Sequence, residues 1–317
     1  MPERLPLVAC AGIVTLDHIF QIDTLPTSEG KYTATGHLTV GGGVAANAAA
    51  TVVKLGGASS FIGCVGDDDS GDNVLAQFAD LGIATDSMQR IANHSTPISF
   101  ILVDGAGRRE LVNFVPDDFF TSANPWFADD IGDADVVLVD CRWPAGALHA
   151  LRSARAGGVR SVVDVDRPID ADPVTETGQI IDAATHLVFS RTALTATMHN
   201  EHLVDALRAA AKRADAWVAV TDGEHGVSWI EDGRVQHHPA VQVDAVDTLG
   251  AGDVFHGAFA LALAEGRRER DAVRFASAAA ALKCTRFGGR ASIPGRAEVD
   301  ALLDGAHPTA GQVSAPR

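Results

Sequence analysis

The chain has 317 residues, 46% hydrophobic and 21% charged, enough to bury a substantial core in one large domain or two small ones. Its 41 acidic against 25 basic residues give a formal net charge of −16, which argues against nucleic-acid binding through phosphate contacts. Four cysteines (Cys10, Cys64, Cys141, Cys284) stand singly without a CxxC pair, and no apolar run has the length of a membrane span or the flanks of a signal peptide. Reduced thiols in a cytoplasmic protein with no membrane partner are the expectation.

Along the chain, strands are expected at residues 7–13, 60–65, 136–139, 161–165, 186–189 and 216–220. Helices are expected at 45–55, 71–81, 145–156, 203–213, 254–264 and 270–283. Near-continuous apolar strands alternating with alanine-rich helices specify a parallel sheet covered on both faces, with ligands beyond the carboxyl ends of its strands. Two segments, about 14–40 and 95–115, instead alternate with period two. Ile98-Ser-Phe-Ile-Leu-Val103 and Glu110-Leu-Val-Asn-Phe114, joined by an Asp104-Gly-Ala-Gly turn, are examples. They predict a small accessory sheet serving as a lid, a dimer face or both. Residues 1–304 form one expected domain, and the Gly-, Pro- and Ala-rich 305–317 a disordered tail.

The most informative stretch is Asp247-Thr-Leu-Gly-Ala-Gly-Asp253, a glycine-rich turn running into an apolar helix. A helix start presents unpaired N–H groups and partial positive charge, and small residues let an anion approach them. A carboxylate there, Asp253, would repel a phosphate unless it accepted a proton from an attacking hydroxyl; an ordinary N-cap is the plainer explanation. Two further elements are weaker. Gly41-Gly-Gly43 opens the helix carrying Asn47, and Thr221-Asp-Gly223-Glu-His-Gly226 follows a strand; each is equally compatible with a simple turn.

In this order, the three elements resemble the ribokinase (PfkB) family of ATP-dependent carbohydrate kinases, over nearly the whole chain. The resemblance implies a ribokinase-like three-layer α/β/α sandwich with a mostly parallel central sheet and a small β-sheet lid. It implies ATP and Mg²⁺, with K⁺ as a further ion, and a homodimer through the lid. Asp253 looks like the catalytic base, and the amides of Gly250, Ala251, Gly252 and Asp253 like the anion hole. Asp17, Gly42, Gly43 and Asn47 correspond to sugar ligands. Ser190, Thr221, Gly223, Gly226, Gly250 and Gly252 correspond to the nucleotide site. Residues 285–294 match the stretch beside adenine and a monovalent cation, with Asp247 near that cation. One departure concerns the metal: where the family carries Asn-x-x-Glu, this chain has Ser190-Arg-Thr-Ala-Leu194. Asp164 and Asp166, at a strand end, are the candidates to hold metal-bound water instead, or else are solvated acids.

Within the family, the stretches at 28–32, 40–46, 63–69, 137–143 and 243–294 are similar to those of sulfofructose kinases of sulfoquinovose degradation. That similarity implies transfer of the γ-phosphoryl group to the primary hydroxyl of 6-deoxy-6-sulfofructose. Lys31, Asn113 and Arg142 would then face the sulfonate, whose three acceptor oxygens suit an ammonium, an amide and a guanidinium. Alternatively, Lys31 is a solvated turn residue and Arg142 pairs with Asp140 or another acid. Competing functions are a ketohexokinase, fructokinase or ribokinase-like enzyme for a neutral sugar, and a non-catalytic sugar-binding regulator. A dinucleotide-binding dehydrogenase would need a glycine fingerprint after the first strand, and Gly12-Ile-Val-Thr lacks it. Asp67-Asp68-Asp69 is expected to serve a helix start, His199 and His202 lack a third metal ligand, and Trp143 fits either the core or the pocket.

Overall fold

Short apolar strands and alanine-rich helices alternate as their patterning predicts, in a computed structural model that describes residues 4–124 and 131–305. The strands are β1 (Leu7–Ala11), β2 (Thr15–Ile22), β3 (Gly36–Gly42), β4 (Ala58–Gly66), β5 (Met88–Ile91), β6 (Ile98–Asp104) and β7 (Arg109–Phe114). They continue with β8 (Val136–Asp140), β9 (Arg160–Val165), β10 (His186–Ser190), β11 (Trp217–Thr221), β12 (Val227–Glu231) and β13 (Arg234–His238). The helices are α1 (Val44–Lys54), α2 (Asp69–Leu81), α3 (Phe119–Ser122), α4 (Pro144–Ala156) and α5 (Glu176–Ala183). The remainder are α6 (Arg191–Thr197), α7 (Leu203–Arg213), α8 (Ala251–Ala264), α9 (Glu269–Cys284) and α10 (Arg296–Leu303). The expected tail beyond Gly305 lies outside the described residues.

The large sheet has nine strands in the order β13-β12-β11-β10-β9-β8-β1-β4-β5. From β11 to β5 every pairing is parallel, and β12 and β13 add an antiparallel edge. Both faces are covered, because successive side chains of each strand point to opposite sides. Val8 and Cys10 join a core with α1, α8 and α9, whereas Ala9 and Ala11 join one with α4, α5, α6 and α7. This is the expected three-layer sandwich. The β12–β13 hairpin was not foreseen, although Asp232-Gly233 announces it: both residues have positive φ (50° and 73°), as a tight hairpin turn requires.

The accessory sheet is also present, in the order β3-β2-β6-β7, with β2 and β6 parallel. Its register sets Asp17 opposite Ser99, and Ser99 opposite Asn113, on one face. On the other face His18, Phe20, His37 and Phe100 stack as a ladder.

Two helices start at the site. The alanines of α1 let it pack tightly on α8, where a Cβ at Gly257 would press into the Ala48 carbonyl. That close approach brings the first turn of α1, carrying Asn47, against the first turn of α8, carrying Asp253.

Candidate active site

Gly250 caps α8 in the left-handed region (φ 76°), a conformation that suits glycine. Its carbonyl accepts the Val254 amide at 3.0 Å, and the Ala251 amide closes the preceding turn on the Thr248 carbonyl at 3.2 Å. Of the amides expected to form an anion hole, that of Ala251 is engaged, whereas those of Gly252 and Asp253, at N2 and N3, have no intrahelical acceptor. Gly252 is exposed, and a Cβ there would meet nothing within 4 Å, so its backbone faces open space. Asp253 is not the N-cap but the third helical residue. Asn47 Nδ2 donates to its Oδ2 at 2.7 Å. Burial, reinforced by the Asp164 carboxylate and partly offset by the Asn47 bond, pushes the Asp253 pKa up to about 7.

Asn47 is held in turn by Arg290, whose Nε donates to Asn47 Oδ1 at 3.0 Å and whose second nitrogen donates to the Gly42 carbonyl at 2.9 Å. Arg290 is buried, lies over the Phe78 ring, and has its pKa lowered to about 10 by burial, against the opposing pull of Asp17 and Asp253. Asp17, also buried, accepts from Thr15 Oγ1 at 2.7 Å. The three glycines before α1 make room for these groups. A Cβ at Gly41 would overlap Arg290 and one at Gly42 the Asp17 carboxylate, while Gly43 (φ 94°) lies against the Ile13 backbone.

The strand-end acids expected to hold metal-bound water each have a charged partner. Asp164, 2% exposed, sits 2.9 Å from His256 Nδ1. That nitrogen also lies 2.8 Å from the Gly252 carbonyl and His256 Nε2 3.3 Å from the Val188 carbonyl, so every neighbour of the ring is an acceptor. Burial alone would lower the His256 pKa; the Asp164 charge overrides it and holds it at about 9. Asp164 is thus the counter-ion of a buried imidazolium. Asp166 pairs with Arg142 but keeps Oδ1 buried without a partner. Asp140 accepts the amides of Ile13 and Arg142 at 2.8 Å and of Ala45 at 3.1 Å, tying two loops to the first turn of α1. Among the described residues no three His, Cys, Asp or Glu side chains form a group that could hold a metal.

Residues 5–296 match the model of the pfkB family carbohydrate kinases. A ribokinase of Bacillus subtilis is 29% identical over 93% of this chain and 99% of its own length. An ATP-dependent ribose-1-phosphate kinase of Halopiger xanaduensis is 31% identical over 90% and 94%. The crystal structure of a ribokinase-like protein from Agrobacterium tumefaciens superposes with a TM-score of 0.87, at 39% identity over 95% of this chain and 98% of that one. The chain belongs to the pfkB family of carbohydrate kinases. It is an ATP-dependent sugar kinase with the ribokinase-like fold.

For this PfkB kinase the remaining expected residues divide. Ser190 is the N-cap of α6, accepting the Ala193 amide at 3.2 Å and donating to the Asp166 carbonyl at 3.4 Å. Thr221 ends β11, and Gly223 (φ 52°) and Gly226 (φ 92°) shape the turn after it; a Cβ at Gly226 would strike the His238 carbonyl, so packing already accounts for that glycine. Lys31 lies exposed in the loop between β2 and β3, Asn113 is exposed on β7, and Arg142 is bound by Asp166. Asp247, 1% exposed, pairs with the buried Lys283. Asp68 caps α2 by accepting from Gly71 and Thr96, His202 precedes α7, and Trp143 is buried against Phe120. No helix among the described residues is long and apolar enough to cross a membrane.

Sequence reasoning missed Arg290, His256 and Lys283 as working residues. The available signal was a charged side chain inside an otherwise apolar helix or glycine-rich motif, as in Phe255-His256-Gly257 and Ala281-Leu-Lys283.

Proposed function

We propose that this kinase phosphorylates a primary hydroxyl of a neutral sugar, with Asp253 as general base. The observation that carries the reading is the anchoring of Asp253 Oδ2 by Asn47, beside two helix-start amides that have no internal acceptor. A base titrating near neutrality suits proton removal from an alcohol, and oriented N–H groups suit the charge of the transferred phosphoryl. Asp17, Asn47 and the backbone at Gly42 and Gly43 would hold the sugar hydroxyls. Thr221, Gly223 and Gly226 would flank the nucleotide. Asp166, with its unpartnered buried oxygen, and Ser190 are the residues that would hold water around ATP-borne Mg²⁺, which neutralises phosphate charge when bound. The intact base and helix start weigh against a non-catalytic sensor.

A second reading, an anionic sugar such as 6-deoxy-6-sulfofructose, draws on Arg142, whose Nε is buried without a partner. The ribose-1-phosphate kinase among the relatives also acts, by its name, on a charged sugar. Against it, the Asp166 carboxylate already neutralises Arg142, and Lys31 is exposed. ADP release measured with ribose, fructose, ribose 1-phosphate and 6-deoxy-6-sulfofructose separates the readings. Preference for a neutral sugar, unchanged in Arg142→Ala, supports the first; preference for sulfofructose that is lost in Arg142→Ala supports the second. Activity on none of them would reject the sugar-kinase assignment of the site.

The lid supplies a homodimer face. Phe100, Val112 and Phe114 lie on one side of it and are 47%, 68% and 51% exposed, an apolar area of the kind that marks an interaction surface. Sedimentation velocity should give a dimer that Phe100→Asp splits; a monomeric wild type would dismiss the proposal.

A further inference from the structure

Lys283 closes the last turn of α9 and is completely buried, at 0% exposure, which is rare for a lysine without a specific partner. Its Nζ lies 2.8 Å from the Asp247 carbonyl oxygen and 3.1 Å from Asp247 Oδ2. The same carboxylate accepts the Leu249 amide at 2.8 Å and the Gly288 amide at 3.1 Å. The amides of Val246 and Asp247 return to the Cys284 carbonyl at 2.7 and 3.1 Å. One ammonium thus ties the end of α9, where a cation also suits the helix dipole, to the loop that runs through Gly250 into the helix start of the anion hole. Asp247 is the residue beside which the family resemblance implies a monovalent cation. Such an ion does not fit: a positive charge already occupies the carboxylate, and a second at hydrogen-bond range would be repelled in a poorly screened interior.

We propose that Lys283 is a positioning residue that acts as a tethered cation, holding the Asp247–Gly250 loop in its working shape, so that the kinase needs no free monovalent ion. Burial lowers the lysine pKa below its ordinary value, and the Asp247 carboxylate and its hydrogen bond oppose that shift. The inference rests on the anion-hole assignment but not on the identity of the sugar.

The test measures ADP release by the wild type in KCl and in tetramethylammonium chloride at equal ionic strength, with Lys283→Ala and Lys283→Met alongside. Wild-type turnover should be the same in both salts. Lys283→Ala, which opens room for an ion, should lose about tenfold or more in tetramethylammonium and recover with KCl or NH₄Cl. Lys283→Met, which fills the space without charge, should not recover. The melting temperature of Lys283→Ala, without nucleotide or sugar, should rise in KCl over tetramethylammonium chloride, and that of the wild type should not. Strong K⁺ dependence of the wild type would overturn the proposal, and so would a Lys283→Ala enzyme with full turnover in tetramethylammonium or with no response to KCl and NH₄Cl. Should neither substituted enzyme fold, the wild-type comparison decides by itself. Failure of the anion hole would appear separately, as loss of nucleotide binding in both salts.

Discussion

Asn47 Nδ2 lies 2.7 Å from Asp253 Oδ2, joining the first turns of two helices across 206 residues of sequence. The bond exists because α1 and α8 pack through alanine and glycine at their closest approach, and because Arg290 fixes the other end of the Asn47 amide. Asn47→Ala removes both links and leaves the Arg290 guanidinium facing an empty space. We expect kcat/KM to fall about 10- to 100-fold, since small displacements of a base are costly. Steady-state kinetics checks it; loss within a factor of about two would show that Asp253 is oriented without Asn47.

The pH dependence of turnover follows from the surroundings of Asp253. Asp164 on β9 and Asp166 just after it raise its pKa, while Asn47 and His256 lower it, on top of the dominant effect of burial. Turnover should rise with pH through an inflection near 7. Asp164→Asn deletes a neighbouring negative charge, so its inflection should move to lower pH. An inflection that stays in place would mean that Asp164 does not act on the base.

His256 makes a prediction for stability. Its folded pKa of about 9 lies above the ordinary 6.5, so its contribution is complete below pH 6.5 and is lost as pH rises through 9. The wild-type melting temperature should therefore decline over that window more steeply than that of His256→Gln. Parallel declines would contradict a charged imidazolium paired with Asp164.

Much of this fold was legible because its signals are local. Apolar strands, alanine-rich helices and the period-two lid segments each carry their own pattern, and observed boundaries shift by only a few residues: the strand expected at 136–139 runs to Asp140, and the helix expected at 254–264 starts at Ala251. The Asp247–Asp253 turn was legible for the same reason. What escaped are the polar and charge pairings, Asn47 with Arg290, Asp164 with His256 and Asp247 with Lys283, because partners distant in sequence leave no periodic mark. The pairing of Asp164 with His256 escaped for that reason: a strand-end acid looks solvated until the helix lying over it supplies a histidine.

In the proposed reaction Asp253 takes the proton from the attacking hydroxyl. The most direct measurement compares wild type and Asp253→Asn for ATP affinity by calorimetry and for ADP release with the best sugar of the panel. ATP affinity should be unchanged and turnover lowered by about 10²- to 10⁴-fold. Near-normal turnover in Asp253→Asn would contradict that role.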